Sequence, residues 1–261
     1  MNILVCLKMV SRATYTDMLC ADDASYDRLS GGAIEINPAD AYALETALKL
    51  KDRYGAYVTV LSMSPMLAEP MLRSALAMGA DEAVLVCDRI FAGSDTIATA
   101  KTLSAALKAL PRQDMIFCGS KAIDSETGHI GAQLAALNEL RYMGDVLAVN
   151  ELRDGRLCVK HAGKHGAEEY SLVLPAVFSI INGTGMIRIP TIFGLRSSAK
   201  REIRIMTGDT LHLTAEQAGK NASGTETVRI DRLSFAHRHG AYTDDVHDGA
   251  AGLAEMLECA K

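Results

Sequence analysis

The stretch DMIFCGSKAIDSETGHIGAQLAAL at residues 114–137 decides the fold class of this chain. Its apolar run at 115–118 has the length and composition of a buried parallel strand, and Gly119 ends that run. A polar loop leads to Ser125, which we expect to be a helix N-cap, because apolar residues then recur at i, i+4 and i+7 from Ile130. A strand, a turn of small residues and a helix N-terminus form the usual place for a nucleotide in an open parallel sheet.

Small residues cluster in the first turns after this loop. Gly128, Gly131 and Ala132 would let another backbone or a ligand come close, because they carry little or no side chain. The spacing alone is consistent with two interpretations. One is a nucleotide-binding crevice, and the other is an ordinary βα turn with a glycine-rich helix start, which recurs in many α/β folds.

The composition excludes several classes of protein. Of the 261 residues, 49% are hydrophobic but only 5% are aromatic and none is Trp, which is typical of an α/β protein rather than a β-sandwich. The formal net charge of −5 argues against a nucleic-acid binder. The chain lacks an apolar run of membrane-spanning length and its N-terminus lacks a signal-peptide pattern, so we expect no membrane span and a cytoplasmic location.

The six cysteines are scattered and form no C-x-x-C pair. Cys6, Cys87 and Cys118 each end a strand-like apolar run. Buried thiols in a reducing compartment explain this distribution better than disulfides or a metal site.

Strand-like and helix-like segments alternate along the first half of the chain. The predicted strands are 3–7, 57–61, 83–87 and 115–118, and the predicted helices are 40–54, 68–78 and 96–110. Pro38 suits the first turn of the first helix, Gly55 its end, and Asp95 the cap of the third helix. This alternation predicts an α/β fold with a Rossmann-like, doubly wound, mostly parallel sheet.

The pattern changes beyond about residue 143. Asp154-Gly155 is a hairpin signal, and two further strand-like runs lie at 170–174 and 176–181. From Asn182 onward the chain is irregular until an amphipathic helix at about 249–259. We therefore predict a core at 1–183 and a C-terminal arm at 184–261 that packs on another chain, with a loosely ordered tail as the alternative.

Signatures of independent catalysis are missing. The sequence contains neither a G-x-S-x-G elbow nor a P-loop, and no nucleophile–base pair stands out. His237, His239 and His247 with Asp244 and Asp245 could make a metal site, but their polar setting favours solvated side chains. We expect no metal and no catalytic residues, and hence a protein that holds a nucleotide.

Several long blocks, in order, resemble the β (small) subunit of electron-transfer flavoproteins over nearly the whole chain. They are ILVCLKMV at 3–10, INPADAYALETALKLKD at 36–52, VTVLSMSPMLAEPMLRSALAMGADEAVLV at 58–86, GSDTIATA at 93–100, FCGSKAIDSETGHIGAQLAAL at 117–137 and IRIPTIFGLRSSAKREI at 187–203. The resemblance implies a Rossmann-like fold that binds an adenine nucleotide and a heterodimer with an α subunit that holds FAD. The nucleotide of the β subunit is AMP in conventional members and a second FAD in electron-bifurcating members.

The resemblance also implies a nucleotide site at the carboxyl edge of the sheet. Its expected residues are Cys6, Asn37, Pro38, Ala39, Asp40, Met63, Ser64, Asp95, Thr96, Gly119, Ser120, Lys121, Ala122, Ile123, Asp124, Ser125, Glu126, Thr127, Gly128, His129, Ile130, Gly131 and Gln133. Backbone N–H groups at 127–129 suit a phosphate, whereas Asp124 and Glu126 suit ribose hydroxyls or backbone N–H groups. Asp95-Thr96 would reach a pyrophosphate or flavin if the ligand is FAD.

The loop length bears on which nucleotide is bound. Only Ser125 and Glu126 separate Asp124 from Thr127-Gly128, whereas AMP-binding members of the family have a longer loop. The shorter loop resembles the bifurcating group and leaves more room beyond the first phosphate, so we favour FAD over AMP in this subunit.

The partner surface departs from the family pattern. Ile192, Phe193, Leu195 and Arg196 occupy the segment that recognises an acyl-CoA or other flavin dehydrogenase in the family, with Ile192 in place of the family's leucine. The loop at 10–14 also lacks the family's proline and acidic residue. An alternative function from another class is that of a nucleotide-binding regulatory module similar to universal stress proteins. Those proteins form homodimers, and their chains are shorter than this one.

Overall fold

The computed structural model describes residues 1–11, 34–183, 185–226, 228 and 245–259. By contacts the chain divides into two units, Met1–Val228 and Arg229–Lys261. His237, His239 and Asp244, for which a metal site is disfavoured above, lie outside the described residues, as do residues 12–14 of the divergent loop.

The first unit is built on a sheet of nine strands. In chain order the strands of the described residues are β1 (Asn2–Cys6), β2 (Met9–Ser11), β3 (Ile34–Ile36), β4 (Tyr57–Met63), β5 (Glu82–Val86), β6 (Met115–Gly119), β7 (Arg141–Arg153), β8 (Arg156–Gly163), β9 (Gly166–Val173), β10 (Ala176–Ile180) and β11 (Arg204–Met206). The helices are α1 (Pro38–Tyr54), α2 (Glu69–Met78), α3 (Thr96–Lys108), α4 (Ile130–Leu137), α5 (Ile192–Ser198) and α6 (Val246–Cys259). Short 3₁₀ turns lie at Met66–Ala68, Arg89–Phe91 and Gly219–Ala222.

The strand order is β11-β5-β4-β1-β6-β10-β7-β8-β9, and β2 pairs separately with β3. From β1 the chain moves outward through β4 to β5, then returns to β6 on the other side of β1. It next forms β7, β8 and β9 farther out and comes back to place β10 between β6 and β7. All pairs from β11 to β7 are parallel, whereas β7, β8 and β9 are antiparallel. The predicted Rossmann-like, mostly parallel sheet is therefore confirmed, and its strand order reverses between β1 and β6.

Two apolar layers cover the two faces of the parallel block. Leu44 and Leu48 of α1 and Leu72 of α2 pack with one layer, and Leu103 of α3 and Leu134 of α4 pack with the other. This is the burial expected of parallel strands with helices on both faces. It explains why the strands read as continuous apolar runs.

Helix boundaries follow the local signals in α1 and α3 but not in α4. Pro38 begins α1, Gly55 ends it in the left-handed conformation, and the carboxylate of Asp95 accepts a hydrogen bond from the N–H of Ala98. The prediction that Ser125 caps α4 is wrong, because α4 begins only at Ile130 and has no side-chain cap.

The late start of α4 has a backbone cause. Glu126 and Gly128 both have positive φ, at 51° and 65°, which no α-helix can include. The hydroxyl of Ser125 instead donates to Asp124 Oδ1 over 3.1 Å.

The later part of the chain contains more regular structure than the sequence suggests. Asp154 and Gly155 form the predicted hairpin turn between β7 and β8, both with positive φ. β11 pairs with β5 at the edge of the main sheet, and the predicted terminal helix is α6. The boundary at residue 183 stays a prediction. No helix of the described residues is long and apolar enough to cross a membrane.

Candidate functional site

The carboxyl ends of β1 and β6 meet the first turn of α1 at the point where the strand order reverses. Asp40 Oδ2 accepts a hydrogen bond from the backbone N–H of Lys8 over 2.7 Å, just beyond β1. Asp40 Oδ1 accepts one from the N–H of Gly119 over 2.9 Å, at the end of β6. One buried carboxylate therefore joins the two strand ends that flank the switch point.

Burial controls the charge of this carboxylate. Removal from water raises the pKa of Asp40 to about 6, although the hydrogen bonds from Lys8, Asn37 and Gly119 lower it. The carboxylate is therefore mostly ionised at neutral pH, and its charge is lost in mildly acidic solution.

Gly119 is required at the end of β6 for a steric reason. A Cβ atom built on it would lie 2.3 Å from Asp40 Oδ1 and 2.7 Å from the Cβ of Ala39. Any larger residue would push the start of α1 away from β6. The sequence indicates only that Gly119 ends a strand, whereas the structure shows that a glycine is needed because two backbones come close there.

Asn37 fixes the loop that follows β6. Its side chain donates to the carbonyl of Lys121 over 2.9 Å and accepts from the N–H of Ile123 over 3.1 Å. The polar atoms of Asn37 and Asp40 thus form hydrogen bonds with backbone groups in the loops around the predicted site. This geometry suits a role in positioning those loops.

Lys8 and Asp124 form an ion pair across the same loop. Lys8 Nζ lies 2.5 Å from Asp124 Oδ1, and the Asp124 side chain is only 2% exposed. The pair neutralises the buried carboxylate of Asp124.

The N-termini of α3 and α4 lie side by side. Gln133 Nε2 donates to the hydroxyl of Thr96 over 3.2 Å. Gln133 Oε1 is buried and has no hydrogen-bond partner within the described part of the chain. A buried acceptor without a donor is costly, so this atom fits a hydroxyl or amino group of a ligand.

Asp95 has a different environment from the one expected of a ligand-binding residue. Besides capping α3, its carboxylate accepts from the N–H groups of Gly224 and Thr225 over 2.7 and 3.0 Å. It therefore anchors the segment after Gly219–Ala222 to the start of α3.

The ends of β1, β4 and β6 bring the remaining predicted residues to one edge. Ser64 follows β4, and its hydroxyl lies 3.0 Å from that of Ser62. Cys6 and Cys118 are buried free thiols. The hydrogen bond with Cys6, together with burial, raises the pKa of Cys118 well above its ordinary value, so that thiol stays protonated.

A cleft of about 600 Å³ opens beside the loop after β6. Four of the predicted residues line one wall, namely Ser120, Lys121, Glu126 and Gly128. The other wall consists of residues near the start of β7 and the end of β10 that the sequence analysis missed, namely Tyr142, Asp145, Ser179, Ile181 and Asn182. Its volume is in the range of small-molecule sites.

The close approach predicted at Gly131 has a neighbour within the protein. A Cβ atom there would lie 2.4 Å from Ser179 Oγ and 3.1 Å from the ring of Tyr142. The Tyr142 hydroxyl donates to Ser179 Oγ over 3.0 Å, so this pair supports the first turn of α4.

The predicted partner-recognition residues form an exposed apolar surface on α5. Ile192 and Phe193 are 81% and 82% exposed. Just before α5, the Arg188 guanidinium contacts Glu45 over 2.9 Å and Asp52 over 2.7 Å, both on α1. The protruding surface is therefore fixed to the core by charged hydrogen bonds.

No group of three or more His, Cys, Asp or Glu side chains suited to a metal ion occurs within the residues that the structure describes.

Comparison with known proteins places these features in context. The model of the electron transfer flavoprotein domain family matches residues 30–203. The chain is 36% identical to the electron transfer flavoprotein subunit beta of Thermoanaerobacterium thermosaccharolyticum over 98% of each chain. It is 35% identical to the caffeyl-CoA reductase-Etf complex subunit CarD of Acetobacterium woodii over 88% of this chain and 87% of that one. It is 43% identical to the acryloyl-CoA reductase electron transfer subunit gamma of Anaerotignum propionicum over 61% and 64%.

Proposed function

This chain belongs to the electron transfer flavoprotein family as a β subunit, and on that premise we propose that it pairs with an α subunit and holds a second FAD. Its function is electron transfer. The similarity along nearly the full length carries this conclusion, and the short loop between Asp124 and Thr127 favours FAD over AMP.

The residues at the switch point suit the adenosine end of FAD. Gln133 Oε1, buried and without a donor, would accept a hydrogen bond from a ribose hydroxyl. Backbone N–H groups at 127–129, just before α4, would bind phosphate, because helix N-termini favour anions. Asn37 and Asp40 would act as positioning residues for the surrounding loops.

When bound, FAD would supply the redox chemistry, which is the transfer of one or two electrons. The chain itself binds, orients and shields. Cys118 stays protonated and buried, so it does not compete as a nucleophile. We assign no acid–base catalytic role to any side chain.

The exposed surface of Ile192, Phe193, Leu195 and Arg196 would dock on a flavin dehydrogenase, of the acyl-CoA class or another. Two relatives bear the names of CoA reductase complexes, which supports a partner of that chemistry. Large apolar side chains beside a cation favour an apolar pocket with an acidic rim on the partner.

Acid extraction of the heterodimer, co-expressed with an α subunit, tests the choice of nucleotide. The released nucleotides are separated by chromatography and counted against protein. We expect two FAD and no AMP per heterodimer. One FAD with one AMP would instead identify a conventional carrier and overturn the proposal of a second FAD.

A further inference from the structure

We propose that the cleft between the loop after β6, the start of β7 and the end of β10 binds the ribityl hydroxyls of FAD, through Asp145 and Glu126. The inference rests on the proposed function, because AMP lacks a ribityl chain. It assigns a role to a wall of the cleft that the family resemblance does not cover.

The two residues that carry these carboxylates have unusual backbone conformations. Asp145 has a φ of 46° and Glu126 a φ of 51°, in the left-handed region that non-glycine residues seldom adopt. The pairing of β10 with β7 shifts register between Phe178 and Ile180, which marks a bulge where Asp145 lies. Bulges redirect side chains beside functional sites, and here Asp145 lines the cleft.

Hydrogen-bonding side chains continue along the wall formed by β7 and β10. Ser179 is buried at the end of β10 and accepts a hydrogen bond from Tyr142. Burial, and more weakly the charge of Asp145, raises the pKa of Tyr142, so its hydroxyl remains a donor. Asn182 adds an amide that both donates and accepts.

This set of groups selects a class of ligand. Carboxylates accept hydrogen bonds from hydroxyls and repel phosphates, so Asp145 and Glu126 favour a polyol over a pyrophosphate. Lys121, the one cation among the described residues that line the cleft, is already 3.1 Å from Glu126 Oε1. Among the described lining residues, Ile181 is the only large aliphatic one and Tyr142 the only aromatic one.

Substitution of Asp145 by Asn isolates the carboxylate. Asn tolerates the left-handed conformation, so the bulge is retained while one charge and one acceptor are lost. In the heterodimer, with nucleotide removed and rebinding followed by equilibrium dialysis, D145N should weaken binding of the second FAD by about tenfold or more. AMP binding should change by less than about twofold, because AMP lacks the ribityl chain. E126Q should behave in the same way.

The chain supplies matched controls. Asp154 and Glu139 also have positive φ, at 50° and 54°, but neither lines the cleft. D154N and E139Q should leave the affinity for both nucleotides unchanged.

Three results would overturn the inference, and they are distinguishable. If D145N and E126Q bind FAD like the wild type, the cleft does not hold the ribityl chain. If they weaken AMP and FAD equally, the two residues act on the shared part of the ligand. If the wild type takes up AMP but no second FAD, the proposed function itself fails, and this inference fails with it.

Discussion

At the scale of single residues, Asp40 makes the stability of the folded protein depend on pH. Its carboxylate is buried, and burial raises its pKa to about 6. The unfolded chain binds this proton only near the ordinary value of 3.8. The folded state therefore binds the proton first as pH falls, so the charged form costs stability at neutral pH and the cost is relieved between about pH 6 and pH 4.

A comparison of the wild type with D40N isolates the contribution of the Asp40 charge to stability. On going from pH 7 to pH 4 the wild type should gain up to about 3 kcal/mol in free energy of unfolding relative to D40N, at about 1.36 kcal/mol per pKa unit. Denaturant titrations of the heterodimer at several pH values measure the difference, with D154N as an exposed control. Parallel curves for wild type and D40N, or a loss of wild-type stability relative to D40N as pH falls, would contradict the raised pKa.

The residue scale is also where sequence reasoning reached its limit. That Asn37 and Asp40 contact the ligand stays a prediction, and the sequence does not reveal that their polar atoms bind backbone groups of Lys8, Gly119, Lys121 and Ile123. Residue type shows that a polar group lies at a strand edge. Which partner it meets depends on loops that are far apart in sequence.

At the scale of secondary-structure elements, long periodic segments were predictable and short ones were not. The alternation of strands and helices up to β6 follows from apolar runs and caps, and α1 begins and ends where Pro38 and Gly55 indicate. β11 has three residues, too few to show a period, and it exists because it pairs with β5. The bulge that places Asp145 is equally invisible in sequence, whereas Asn182 follows the parallel strand β10 and could have been found by the strand-end rule.

The contacts that attach the segment before α5 to α1 lead to a prediction at this scale. Glu45 is buried, and Arg188 supplies its guanidinium partner in two hydrogen bonds from Nε and Nη2. R188A leaves that carboxylate without this partner, so we expect a loss of about 1.5–3 kcal/mol in unfolding free energy. Hydrogen exchange should also become faster at 186–198, because the segment loses its tether to α1.

An exposed ion pair provides the control for R188A. Arg153 and Asp154 are 77% and 87% exposed, so R153A should change neither stability nor exchange measurably. Unchanged exchange at 186–198 in R188A would show that contacts between α5 and α2 suffice to hold the surface. One such contact is at Gly194, where a Cβ atom would lie 2.3 Å from the carbonyl oxygen of Ala77.

At the scale of the whole molecule, the described part of the second unit is one helix with an apolar face. Leu253, Met256 and Leu257 of α6 recur at i, i+3 and i+4 and are 64%, 69% and 63% exposed. Glu255 and Glu258 lie on the opposite side of the helix by the same periodicity. A contiguous apolar face on a helix of this length favours burial against another protein, and we propose the α subunit as that protein.

We therefore predict that the chain depends on its α subunit. Expressed alone, it should aggregate or show rapid hydrogen exchange and proteolysis at 246–258, and in the heterodimer this segment should be protected. The double variant L253S/L257S should weaken heterodimer formation in size-exclusion chromatography, because two serines remove most of the apolar face. E255S/E258S changes the polar face of the same helix and should leave the heterodimer intact. A monodisperse monomer with a protected α6, or equal behaviour of the two double variants, would show that this helix serves the chain itself rather than its partner.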